Sequence, residues 1–216
     1  MTTAKIVLGV AAAALLATTG TLSAEGMKKG HDAPQEASME KKMMKPPFGT
    51  PDDISFAKTM WEKLHAAGFD ALHDNLYVGG PPHGKVREVM EGIVDGKLVI
   101  AKTNYGGKGV SIEAVKADPK KYLKAFTIMV KVPGYDPDDQ DWFWAKYKAD
   151  GSLFADDKKG MKLAGRVAKG MPVGCISCHK SASGSDFVFS HNKTVNAAVT
   201  WIGDKSRQKS LADLMK

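Results

Sequence analysis

Asp95-Gly96-Lys97-Leu98-Val99-Ile100-Ala101-Lys102-Thr103-Asn104-Tyr105 reads as a tight turn feeding a strand. Asp-Gly tolerates the backbone angles that a sharp reversal needs, and the Val and Ile that follow fit a pleated, buried surface. Working outward, similar short segments flank it: Lys85 to Met90 before the turn, and Val110 to Val115, Phe126 to Val132 and Trp142 to Tyr147 after it. Gly106-Gly107, Pro133-Gly134-Tyr135-Asp136-Pro137 and Asp150-Gly151 separate them. Strands joined by tight turns make an antiparallel meander. An α+β fold is therefore expected, an antiparallel β-sheet of about five strands with flanking helices. Asp118 to Lys124 is ambiguous between strand and helical turn.

Trp142, Phe143 and Trp144 stand in a row, so a strand here shows aromatic surface on both faces. One face suits the sheet core. The other suits a cofactor edge or a second subunit.

Upstream, Thr50-Pro51-Asp52-Asp53 offers an N-cap, a proline at the first helical position and acids in the first turn. Ile54, Ala57, Met60, Trp61, Leu64 and Ala67 then recur at helical spacing until Gly68. Earlier still, Met1 to Ala24 carries one charge, Lys5, an apolar run from Ile6 to Ala17 and a polar end, the pattern of a secretory signal peptide over residues 1–24. That apolar run is short for a membrane span, and no second run of spanning length follows. Residues 25–50 are rich in Met and Lys and poor in large aliphatic residues. They read as a disordered linker, and Met27, Met39, Met43, Met44 and His31 admit copper binding as a lesser alternative. Residues 51–216 then form one domain.

Of 216 residues, 31 are basic and 24 acidic; loss of Lys5 with the signal leaves 30 − 24 = +6. No basic stretch interleaved with aromatics points to nucleic acid. The excess of base suits ordinary solubility, and docking to an acidic redox partner is the sharper reading.

Late in the chain comes Cys175-Ile176-Ser177-Cys178-His179, with the only two cysteines of the sequence. This C-x-x-C-H is the attachment sequence for a c-type haem. On a helical turn the three side chains share one face, so the thiols can bond the porphyrin while His179, the metal ligand, reaches the iron. A thiol-disulfide pair leaves the histidine unexplained, and a zinc site lacks a fourth clustered ligand. Haem c attached through Cys175 and Cys178 is the expected cofactor. Export agrees with it, because such haems are attached outside the bacterial cytoplasm, and the expected location is periplasmic.

In common small c-type cytochromes the motif sits near the N-terminus and an axial Met follows. Here it is late, and only Met215 follows it. The iron is expected to keep an open position, with Met171, His191, Lys102 and Arg166 as conceivable distal groups. Phe187-Val188-Phe189 can wall the pocket, and the tail from Thr194 to Lys216 reads as one or two short helices around Val195, Val199, Trp201, Ile202 and Leu211.

Together these pieces resemble the cytochrome P-460 and cytochrome c prime-beta family. The matching residues are His83-Gly84 leading into Val86-Arg87, Asp95-Gly96 before Leu98 to Tyr105, Gly134-Tyr135-Asp136-Pro137 and Asp141 to Tyr147. Asp150-Gly151, Gly174 to His179 and Asp186-Phe187-Val188-Phe189 continue them. The resemblance implies a homodimer with a five-coordinate haem, acting in nitrogen-oxide chemistry as a hydroxylamine-oxidising oxidoreductase or as a nitric oxide binder. It implies a small nitrogen-oxide ligand or substrate and a soluble redox partner cytochrome. Lys102 looks like the lysine that one branch links to the porphyrin, and it is the remaining cofactor-binding candidate. Simple electron transfer with a sixth ligand is the alternative.

Overall fold

The computed structural model describes residues 47–182, 184, 186–191 and 198–204. The chain divides into two units, Met1–Met43 and Met44–Lys216. The expected signal peptide and the linker as far as residue 46 lie outside the described residues. Packed structure begins a little before Pro51, because Phe48 is buried in the core and Gly49 N–H donates to Ala164 O at 2.7 Å.

Helix α1 spans Pro51–Ala66. Thr50 and Asp53 cap it reciprocally, Asp53 N–H donating to Thr50 Oγ1 at 3.1 Å and Thr50 N–H to Asp53 Oδ2 at 3.2 Å. Asp53 also accepts from Tyr135 OH at 2.8 Å, which ties the start of the helix to the loop that follows Val132 on the same side of the sheet.

The sheet has seven strands: β1 Tyr77–Val78, β2 Val86–Val94, β3 Lys97–Tyr105, β4 Leu123–Lys131, β5 Trp142–Tyr147, β6 Ala164–Gly165 and β7 Val199–Ile202. β1 to β6 lie in sequential order, each antiparallel to the next, whereas β7 runs parallel to β2. The expected meander holds from β2 to β5. Two expectations are corrected. Val110 to Val115 is not a strand: Ser111 caps Ala114 N–H at 3.1 Å and starts helix α2 over Ile112–Ala117. Ile112 and Val115 are three apart and share one helical face, so the β-branched content misled. The tail places a strand, not a helix, around Val199, Trp201 and Ile202; Val195 and Leu211 lie outside the described residues. The ambiguous segment after Asp118 is a single helical turn, α3 (Pro119–Tyr122), before β4.

Each face of the sheet has its own core. On one, Ala57, Met60 and Leu64 of α1 pack on Met90, Val99, Ala101, Phe126, Ile128, Val130, Phe143 and Ala145. On the other, Val89, Leu98, Ile100, Met129, Trp142 and Trp144 are covered by Val167, Ala168, Ile176 and Val188. Strand alternation sends Phe143 to the first face and its two tryptophan neighbours to the second, as the aromatic triplet requires. Among the described residues no helix is long and apolar enough to cross a membrane.

Candidate functional site

The face opposite α1 changes character along the strands. One cross-strand row is apolar after its first member: Glu91 pairs with Ile100, Ile100 with Met129, Met129 with Trp144 and Trp144 with Gly165. Two residues along, the next row runs Val89, Lys102, Thr127, Lys146. Paired residues point to the same face, so Lys102 and Lys146 stand two strands apart, about 10 Å. Beyond them Arg87 pairs with Asn104. An apolar floor thus gives way to a cationic one.

Helix α4, Cys175–His179, carries the haem motif and lies over the apolar part. Ile176, 1 % exposed, anchors it among Trp144, Val167 and Val188. Gly174 precedes it with φ +151°, and a Cβ there would meet Ala168 Cβ at 2.0 Å. Only glycine lets the helix start so close to the underlying loop. Lys180, just past the helix, pairs with buried Asp139 at 2.7 Å and ties the motif to the loop between β4 and β5.

His179 is held on three sides. Its ring meets Trp144 edge-on at 4.7 Å between centroids and Phe189 at 5.2 Å. Nδ1 donates to Phe187 O at 2.7 Å, since a carbonyl can only accept. That fixes the tautomer and leaves the Nε2 lone pair for a metal. Burial, with help from the Lys102 charge and against the Phe187 carbonyl, lowers the imidazole pKa to about 4. It is therefore neutral at physiological pH, as a ligand must be. Burial raises the Cys175 thiol above its ordinary value, whereas Cys178 is exposed at the rim.

Lys102 shares the site. Burial first, then the neighbouring Arg87 charge, lowers its pKa to about 8, while the two cysteines pull the other way. The structure thus brings Cys175, Cys178, His179 and Lys102 together. It does not bring the other distal candidates with them. His191 has both ring nitrogens committed to carboxylates, Asp186 and Glu91. Arg166 donates to Tyr135 O and faces Asp136, and Met171 is 46 % exposed in the loop before the motif.

Sequence reasoning missed His83 as a site residue. Burial, followed by the charges of Lys102, Arg87, Lys146 and His179, holds its pKa at about 3, which places a neutral imidazole among those groups. The loop carrying it is pinned by Arg87, whose Nε donates to Gly84 O at 2.9 Å and whose terminal nitrogen donates to Gly80 O. Gly84 lies against the Tyr105 backbone, where a Cβ would meet Tyr105 O at 2.2 Å. His83-Gly84 before Val86-Arg87 was the available signal.

These residues fit a haem. Two thiols and an imidazole share one helical face, an apolar floor adjoins cations that suit the carboxylates of a porphyrin, and the indole Nε1–H of Trp144 is buried without a hydrogen-bond partner among the described residues. A buried donor left over beside His179 suits a site shaped around an acceptor-bearing group. No curated protein and no solved structure matches the chain. Residues 84–190 match the Cytochrome P460 family model, a span that opens beside His83, contains Lys102 and the whole haem motif, and closes next to His191; the chain belongs to the cytochrome P460 family, whose cofactor is a haem.

Proposed function

We propose that this chain is a periplasmic mono-haem c-type cytochrome that handles small nitrogen oxides. The observation that carries the proposal is the neutral His179, oriented by the Phe187 carbonyl with Nε2 left free, on one helical turn with two thiols and beside Lys102. Cys175 and Cys178 form the thioether bonds, and His179 binds the iron. The haem supplies the redox centre and the binding position for the nitrogen oxide. Lys102 borders that position as a free amine or as a bond to the ring.

Nitric oxide capture and hydroxylamine oxidation both fit this arrangement. Among the described residues, the charges that act most on His83 and Lys102 are those of cations, His179 and the thiols. Oxidation of hydroxylamine releases protons and is served by a strong base near the iron. A histidine of pKa about 3 is a weak one, so capture is the favoured reading. A soluble cytochrome exchanges electrons with the haem, the working unit is a homodimer, and the mature chain starts at Glu25.

One purified preparation tests the proposal. The denatured mass gains one haem, and an N-terminal sequence starting at Glu25 reports export and cleavage. The ferrous protein binds nitric oxide, and steady oxidation of hydroxylamine with an added oxidant separates turnover from capture. Light scattering reports the dimer. A ferrous low-spin, six-coordinate spectrum indifferent to nitric oxide and carbon monoxide would show simple electron transfer instead.

A further inference from the structure

The peptide unit between Phe187 and Val188 is held at both ends. Its carbonyl oxygen accepts from His179 Nδ1 at 2.7 Å, and its N–H donates to Asp186 Oδ1 at 3.0 Å. The second Asp186 oxygen is hydrogen-bonded to His191 Nδ1. His191 Nε2 lies 3.0 Å from Glu91 Oε1, which also accepts from Ser190 Oγ at 3.2 Å. The Asp186 carbonyl is fixed in turn by Trp142 Nε1–H at 2.7 Å. Between these bonds Phe187 adopts φ +66°, a left-handed conformation that a bulky side chain enters only when its surroundings over-determine it.

The arrangement has an electronic consequence. A carboxylate accepting from an amide N–H leaves more negative charge on the oxygen of the same amide. A more negative Phe187 oxygen draws the His179 Nδ1 proton harder, and the imidazole becomes a more basic ligand at Nε2. His191 alone would drain charge from Asp186. Glu91, 4 % exposed and on the other ring nitrogen, offsets that loss.

We propose that Asp186, His191 and Glu91 are positioning residues that set the electron density of the proximal ligand through the Phe187–Val188 peptide unit. The inference rests on the reading that His179 binds haem iron. Each group of this relay is hydrogen-bonded to the next and the Phe187 carbonyl to His179, so its influence reaches the ligand through the Phe187–Val188 peptide unit. A more basic His179 stabilises the ferric state and strengthens the iron–histidine bond.

The test uses the haem-loaded protein and two isosteric variants, Asp186→Asn and Glu91→Gln. Resonance Raman gives the iron–histidine stretching frequency of the ferrous form, spectroelectrochemistry gives the midpoint potential, and the denatured mass gives the haem content. Asp186→Asn is expected to retain its haem, lower the frequency and move the midpoint to a more positive value. Glu91→Gln shifts both in the same direction by less, because the charge of His191 then falls on Asp186 alone. A merely structural role predicts lower thermal stability with frequency and midpoint unchanged, and that result in both variants overturns the proposal. Should Asp186→Asn fail to fold, Glu91→Gln and Ser190→Ala, which removes one hydrogen bond to Glu91, decide the matter by the same two readouts. A parent protein without attached haem overturns the underlying haem reading instead, and the mass measurement shows that separately.

Discussion

Lys102 offers the sharpest quantitative test of the site. Its side chain sits on the sheet face that holds His179, in register with Thr127 and one strand further with Lys146. Burial, reinforced by Arg87, lowers its pKa from 10.5 to about 8. At pH 8 about half of such an amine is unprotonated, against roughly 0.3 % for an ordinary lysine, a gain of roughly 160-fold in free amine. The perturbation is competitive acetylation of the chain made without haem attachment, across pH 6 to 11, with each lysine followed by peptide mass. Lys102 should reach half-maximal intrinsic reactivity near pH 8. A midpoint equal to that of a blocked lysine peptide refutes the argument, since it places the ammonium in water, away from Arg87. In the haem-loaded protein the same map has a second use: a Lys102 bonded to porphyrin disappears from the acetylated set, and its peptide carries the haem mass.

Three further expectations follow from the packing. Ile176→Ala removes the buried anchor of α4 and should cost about 2–4 kcal/mol in the unfolding free energy of the haem-free chain by urea titration; a cost below ~1 kcal/mol would mean that α4 is not docked on Trp144. Asp53→Ala leaves the Thr50 cap in place but removes the carboxylate half of the capping box, the acceptor for Thr50 N–H, and the acceptor for Tyr135 OH, worth about 1 kcal/mol each, so thermal unfolding should fall by an amount equivalent to about 2 kcal/mol. His191 is raised to about 9, where burial opposes the charge but Asp186 and Glu91 together outweigh it. A raised folded value means that its contribution is complete below the ordinary histidine pKa of about 6.5 and fades as pH rises through about 9. The pH profile of stability of His191→Gln should therefore lie below that of the parent at neutral pH and converge with it at alkaline pH; parallel profiles would refute the ion pair.

The readable part of the molecule was the part governed by local rules. Leu98, Ile100 and Lys102 alternate with Val99, Ala101 and Thr103, so the sequence itself puts Lys102 on the face of one apolar set. The spacing of Cys175, Cys178 and His179 needs only a helical turn. Ser111-Ile112-Glu113 shows where composition misleads, because a serine cap and an acid in the first turn outweigh β-branched content. What could not be read depends on distant partners. His83 reaches the site from a loop that is shaped by hydrogen bonds to Arg87. His191 looked like a spare ligand because its acceptor, Glu91, is 100 residues away in the chain. The short β7 is a strand through its parallel pairing with β2 between Val89 and Gly92.

The register of the sheet and the chemistry of the site are a single constraint. Side chains alternate with a period of two, so a slip of one residue in β3 would turn Lys102 toward α1 and bring Ala101 to the haem face. Two cores oppose that slip: Val99 and Ala101 are buried against α1, and Leu98 and Ile100 against α4 and its loop. The irregularity between β3 and β4 falls at Asn104 and Tyr105, after Lys102 has already paired with Thr127. Up to that point the ladder is regular, and α4 docks where the face is apolar, with His179 packed on Trp144 in the row next to the lysines. Burial of Ile176 therefore fixes more than the helix. It sets the His179 imidazole at the boundary between apolar floor and cationic floor, where a flat ligand with a greasy body and charged edge finds both.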